Sequence, residues 1–582
     1  MSSPSLLKSS NRVALAAGLL ALASCMSGSP ASSSASPTPA ATGSPAEFAI
    51  EGPLKFTARP TSADITPIDL MSRLYVFSDD SMMGRDDGGR FGATKATAYI
   101  ERELRRLELT PAGDNGTFFQ DIGYRTVVAD ARSTFSVDGQ PLALGRDYAP
   151  VLRVGARPLR GELQIVFGGQ LDSVAHITSE QANGKMVMLT APGGGRGGRG
   201  GGRGGAAALP TALMSADAIL IVQGDSLTGA NAPARGIVPD DADRIAAGPQ
   251  RINVTSAAAR RLLGADIAAA AVGAVGPRAH VDILFAETRW PVRNVVAIVP
   301  GSDRTLKNEY VAIGAHTDHV GFTTRPVDHD SLRAFNKVMR PRGLNDPLTV
   351  PTPEQLAQIN HLRDSLSKLH PARIDSISNG ADDDGSGSIA LLEMAESFAR
   401  RSRPKRSVVL VWHAAEEDGL LGSRYFTDHP TVPRDSIVAE LNMDMVGRGR
   451  ASDHAGGGAS YLRLIGSRRL STELGDIVER VNTEGRYGYV FDYTFDAPGH
   501  PQNSYCRSDH ANYARFAIPI VFFGTGVQAD YHMVTDEPQY IDYPHMARNA
   551  NFIKDVAFVV GNLDHRVVVD KPKPDPKAPC RQ

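Results

Sequence analysis

Residues 378–393 read SNGADDDGSGSIALLE and set three aspartates, Asp382, Asp383 and Asp384, side by side after a glycine. Two kinds of metal chemistry fit such a run. One is calcium: Asp382, Asp384 and Ser386 fall at positions 1, 3 and 5 of a loop, Gly387 at 6, Ile389 at 8 and Glu393 at 12, close to the EF-hand spacing. The other is an enzyme in which one aspartate bridges two metal ions. An EF-hand needs a helix entering its loop, and Asn379-Gly380 directly before the triplet, with Pro371 upstream, oppose one.

Holding ligands in place takes a rigid scaffold. From residue 290 onward, apolar runs that read as strands (NVVAIVP, YVAIGAH, SVVLVWHAA, VAELNMDMVG, IPIVFFG) alternate with runs that read as helices (SIALLEMAESFARR, LSTELGDIVERV, ARNANFIKDVAFVVGNL). Near-continuous apolar strands alternating with helices predict an α/β fold: a mostly parallel, mixed central sheet with helices on both faces. In such a sheet, ligands bind beyond the carboxyl ends of the strands. Those ends carry His316 and Asp318, Glu416 and Glu417, Asp444, and, after IVFFGTGVQADY, His532. A lone histidine is more often structural than a ligand, and a Glu pair is usually a solvated face. Their convergence on one rim changes that reading. Imidazoles with carboxylates and no thiolate suit zinc. Two His and at least three carboxylates exceed the needs of one catalytic zinc and suit two ions sharing a carboxylate. The HExxH pattern is absent.

Six motifs in order, GAHTDHVG, NGADDDGSGSIALLE, WHAAEEDGLLGS, LNMDMVG, RSDHANYARFAIP and DYHMVTDEP, resemble those of the co-catalytic di-zinc aminopeptidase family, which includes glutamate carboxypeptidase-type enzymes. The resemblance covers about residues 65–125 and 286–565. It implies that His316 and Asp444 hold one zinc, that Glu417 and His532 hold the second, and that Asp383 bridges them. It makes Asp318 the carboxylate that hydrogen-bonds the other ring nitrogen of His316, Glu416 the general base, and Tyr531 a donor to the developing oxyanion. Arg507 would contact the substrate backbone or carboxylate. His319, His413 and His510 sit inside these motifs and read as structural or supporting groups.

The remaining sequence sets the context. A chain of 582 residues with net charge −2 is long for one core and carries no global field that would attract nucleic acid. Lys8 and Arg12 precede the short apolar run at 13–23, which reads as an export signal. The ending LASC resembles a bacterial lipobox, with Cys25 as the lipidated residue; the alternative is a plain cleaved signal. We expect a flexible linker over 26–64, whose first part, 26–48, is almost wholly Ser, Ala, Pro, Thr and Gly. Residues 90–109 carry helical apolar spacing through Ala93, Ala96, Tyr99, Ile100, Leu104 and Leu107. Between 126 and 285, short β-like runs joined by glycines read as an inserted domain that resembles a protease-associated domain. Its PGGGRGGRGGGRGG run, 192–205, reads as a solvated loop and not as a nucleotide or RNA site. Residues 322–378 form a polar excursion near the site, a lid or rim. Residues 566–582 read as a disordered tail; export would permit a disulfide between Cys506 and Cys580, and two unpaired thiols are the preferred reading.

The expectation is an exported, lipid-anchored cell-envelope exopeptidase with two zinc ions and peptide substrates, an aminopeptidase in preference to a carboxypeptidase. A receptor that kept the scaffold without its chemistry is the non-enzymatic alternative.

Overall fold

The computed structural model describes residues 52–87, 91–152, 158–171, 177–191, 211–227, 236–239, 248–369, 371–454 and 456–582. The signal segment, the tether over 26–48 and the run at 192–205 lie outside them. No described helix is long and apolar enough to cross a membrane.

A mixed sheet forms the centre. Its main strands are β1 (Arg293–Val299), β2 (Tyr310–His316), β3 (Ser407–His413), β4 (Ile437–Met443), β5 (Tyr461–Ile465), β6 (Val490–Asp492) and β7 (Ile520–Gly524). They lie in the order β1-β3-β2-β4-β7-β5-β6. The middle four, β3, β2, β4 and β7, are parallel neighbours, whereas β1 and β5 join antiparallel. Short strands Thr110–Pro111 and Phe119–Asp121 also pair with β1, so the segment before the insertion completes this sheet.

The apolar runs are continuous because both faces are covered. On β3, Val408, Leu410 and Trp412 enter one core while Val409 and Val411 enter the other. The first core is packed by helices α1 (Pro67–Phe77), α2 (Gly92–Arg106), α3 (Gly387–Arg400) and α4 (Tyr543–Asn562). All six expected apolar positions of α2 and its end are buried. Truncating a fully buried residue such as Leu410 to alanine costs about 2–5 kcal/mol.

A second, eight-stranded sheet lies within the expected insertion. Its central strands, Leu159–Gln170, Met186–Thr190, Ala218–Val222 and Gln250–Val254, are also parallel. Tyr124–Ala129 pairs antiparallel with Phe285–Arg289, so the chain leaves and re-enters side by side. The excursion is a hairpin of Gly321–Asp328 and Ile374–Ser378 enclosing helices His329–Met339 and Pro353–Leu366. It docks on the loop that carries His532: Asn336 Nδ2 donates to the Ala529 carbonyl at 3.1 Å, and the Leu344 N–H donates to the Val527 carbonyl at 3.2 Å.

Three expectations are corrected. Residues 52–64 are not free linker: the Gly52 N–H donates to the Gln539 carbonyl at 2.7 Å, and Thr61 donates to Glu396 at 2.6 Å. Cys506 and Cys580 form a disulfide, with Cα atoms 5.8 Å apart. The tail is accordingly tied down, with Gln582 Nε2 donating to the Phe495 carbonyl at 2.6 Å and the Gln582 N–H to Asn503 at 3.1 Å. The expected export signal permits this pairing, but no local pattern marks two cysteines 74 positions apart as partners.

Candidate metal centre

The parallel strands end along one rim. His316 closes β2 beside His413 at the end of β3. Glu416 and Glu417 follow β3 in a turn, and Asp444 follows β4 directly. The Asp318 carboxylate accepts the peptide N–H groups of Glu416 at 3.1 Å and Glu417 at 3.0 Å, which fixes that turn. Its expected bond to His316 is not the nearer one. His316 Nδ1 lies 3.2 Å from the Asp318 backbone carbonyl and 3.7 Å from its carboxylate. Asp318 therefore orients the glutamates with its side chain and His316 with its main chain.

The aspartate triplet divides its labour in the same way. Asp382 accepts the Gly447 N–H at 2.8 Å and Gln528 Nε2 at 3.1 Å. Asp384 accepts the N–H groups of Gly387 at 2.9 Å and of Met445 and His316 at 3.1 Å. The two flanking carboxylates thus staple the loop to β2, to the segment after β4 and to the start of α3. Burial pushes both of them well above the ordinary carboxylate range. Asp383 differs. Burial pushes it up too, but His316 and His532 outweigh burial and hold it well below that range. Glu393, the twelfth position of the calcium reading, is buried against Arg73.

Two groups of side chains meet at Asp383. Its Oδ1 lies 3.3 Å from His316 Nε2, which lies 3.7 Å from Asp444 Oδ1. Its Oδ2 lies 3.1 Å from His532 Nε2 and 3.7 Å from His319 Nδ1. Glu417 Oε1 lies 3.0 Å from His532 and 3.1 Å from His319. Donors about 2.0–2.1 Å from a tetrahedral ion stand about 3.3 Å apart, so these spacings are those of ligands around a cation. His316 Nε2, His532 Nε2 and Asp383 Oδ2 are buried with no hydrogen-bond partner. An unpaired buried polar atom is costly, and a bound ion would satisfy all three. Imidazole and carboxylate donors fit zinc.

Glu416 ligates in neither group. Burial and the neighbouring Glu417 push its carboxyl well above the ordinary range, against the pull of His316. Tyr531 stacks on His532 with ring centres 3.8 Å apart. Burial, with Asp383 and Glu417, keeps its phenol protonated, while Arg507 is close enough to pull in the opposite direction. His413 and His510 lie apart from the chemistry, as structural groups. His413 packs against Tyr513 and Phe426, His510 stacks on Phe522, and burial pushes both imidazoles down to about 3.

Sequence reasoning missed three contributors. His319, read as a supporting group, lies inside the second donor group. Its adjacency to Asp318 was the available signal. Arg85 is fully buried and donates to the carbonyls of Thr317 at 2.8 Å, Gly380 at 2.7 Å and Asp383 at 3.1 Å. Asp536 accepts the peptide N–H groups of Asp382 at 3.0 Å and Asp383 at 3.1 Å. No spacing in the sequence marks these last two. Gly380 is required beneath them, because a Cβ there would lie 2.2 Å from the Asp383 carbonyl and 2.5 Å from the His319 ring.

The chain is 27% identical over 216 residues to leucine aminopeptidase 1 of Ajellomyces capsulatus, covering 35% of this chain and 52% of that one. It is 24% identical over 250 residues to leucine aminopeptidase 1 of Emericella nidulans, covering 41% and 59%. The chain therefore spans about half the length of the curated relatives it matches. Among solved structures, an aminopeptidase from Aneurinibacillus sp. strain AM-1 is similar at 14% identity and TM-score 0.47, covering 87% of this chain and 97% of that one. A zinc aminopeptidase from Bacillus subtilis is similar at 15% and 0.47, covering 86% and 96%. Residues 294–557, the segment that carries every side chain of both donor groups, match the model of Peptidase family M28.

Proposed function

We propose that this chain is a two-zinc exopeptidase, an aminopeptidase in preference to a carboxypeptidase. The observation that carries the reading is the opposed use of the Asp383 carboxylate: one oxygen faces His316 and the other faces His532 and His319. A carboxylate so placed would be shared by two ions if both donor groups were filled. The leucine aminopeptidase relatives favour the amino-terminal direction.

His316, Asp383 and Asp444 would hold one zinc, and Asp383, Glu417 and His532 the other. Zinc there supplies Lewis-acid polarisation of the scissile carbonyl and a water acidified to near-neutral pKa. Glu416 takes the proton of the attacking water and returns it to the leaving amine. Its raised pKa suits both halves of that task. Asp318 holds the turn so that Glu417 faces the metal position while Glu416 stays free. Tyr531, kept protonated, donates a hydrogen bond to the oxyanion. Arg507, whose charge acts on Tyr531, would contact the substrate backbone or carboxylate.

Location and partners belong to the same proposal. The N-terminal segment marks an exported lipoprotein anchored through Cys25, and the inserted β-rich domain is protease-associated-like. A panel of aminoacyl amides and C-terminal dipeptides assayed with the zinc-loaded full chain tests the reading. Cleavage of the amides with the dipeptides untouched supports it. The reverse makes the chain a glutamate carboxypeptidase-like enzyme, and no cleavage of either makes it a binding protein.

A further inference from the structure

The two donor groups at Asp383 are unequal. One contains His316, Asp383 and Asp444; the other contains His319, Asp383, Glu417 and His532. His319 is as close to its neighbours as the assigned ligands are to theirs. Its Nδ1 stands 3.1 Å from Glu417 Oε1 and 3.7 Å from Asp383 Oδ2. The corresponding spacings of His316 are 3.3 and 3.7 Å, and those of His532 are 3.0 and 3.1 Å. All bracket the edge of about 3.3 Å expected around a tetrahedral ion. The ring is held firmly. The His319 N–H donates to the Arg85 carbonyl at 3.2 Å, and Gly380 packs against its edge. The His319 and His532 rings meet at 77° with centres 5.5 Å apart, so two imidazoles converge on one pair of carboxylate oxygens.

We infer that His319 supplies, through Nδ1, a fourth protein donor to the metal position formed by Asp383, Glu417 and His532. This rests on the two-zinc reading and adds an asymmetry to it. Four protein donors complete a tetrahedron, as in structural zinc sites, whereas three leave a position open, as in catalytic ones. The His319 position therefore fills first and holds its ion more tightly, and the His316 position is the open one.

Zinc K-edge absorption of the full chain loaded with one equivalent of zinc tests this, because it counts imidazoles around the ion. Two imidazoles per zinc are expected in the wild type, and one in His319→Asn. Asparagine keeps a polar atom near the Nδ1 position, and circular dichroism checks that the variant folds. His316→Asn tests the same point without disturbing the His319 pocket, because the ion is then left to the position of His532: two imidazoles per zinc remain if His319 ligates, and one if it does not. In competition with a chelator, His319→Asn should weaken the first equivalent about tenfold or more and leave the second unchanged. One imidazole per zinc in both wild type and His319→Asn overturns the inference while the two-zinc reading stands. Failure of the wild type to take up zinc at all overturns both.

Discussion

The two large sheets share a plan but not a chemistry. Each has four parallel strands at its centre. In the central sheet the carboxyl ends of those strands gather His316, Glu416, Glu417, Asp444 and His532 around Asp383. In the second sheet they end in residues such as Gln170, Thr190 and Gln223, and among the described residues no group of three His, Cys, Asp or Glu forms there. A parallel sheet offers a place for a site; the residues at its rim decide whether one exists.

This contrast can be broken at either sheet. The largest effect is expected for Asp383→Ala, which removes the carboxylate shared by both donor groups: zinc analysis should find both ions lost, and activity should vanish with them. Asp382→Ala should keep the ions and lower stability instead, by about 1–3 kcal/mol, because the Gly447 N–H and Gln528 lose their buried acceptor. If Asp382→Ala loses the ions and Asp383→Ala keeps them, the bridge is misassigned by one residue. Next comes Glu416→Gln, which should lower kcat by about 10²–10⁴-fold with zinc content unchanged.

A smaller effect concerns the core beneath the rim. Burial pushes Glu393 up to about 8 from its ordinary 4.5, against the pull of Arg73. Its folded pKa is raised, so between these values the folded chain keeps a proton that the unfolded chain has released. Stability should therefore fall as pH rises through that window. Thermal melts of Glu393→Gln should show a flatter decline between pH 5 and pH 8 than those of the wild type. The smallest effect is expected at the carboxyl end of the second sheet. Gln170→Ala and Gln223→Ala should leave kcat/KM within about twofold of wild type. A larger loss would mean that this rim also meets substrate, and the contrast between the sheets would fail.

Much of the central sheet was legible because its strands are buried on both faces and so are apolar throughout, and each of the strands β2, β3 and β4 runs directly into an acid or a histidine. The order of six motifs then brought His316, Asp383, Glu417, Asp444 and His532 together. Other features depend on contacts between distant segments, which leave no local pattern. Arg85 reaches carbonyls more than 230 positions away. Cys506 and Cys580 meet because the tail folds back over the loop at 493–506. The EF-hand spacing in the aspartate run was an accident of glycine and serine crowded at a helix start. The two aspartates it singled out bind peptide N–H groups, and the one it passed over faces the histidines.

The most direct test of the central claim is a zinc titration of the purified full chain, with bound metal per chain measured by elemental analysis. Two donor groups sharing Asp383 predict saturation at two ions per chain, with the first held more tightly than the second. Saturation at one ion would contradict the bridge and leave Asp383 an ordinary ligand of a single zinc.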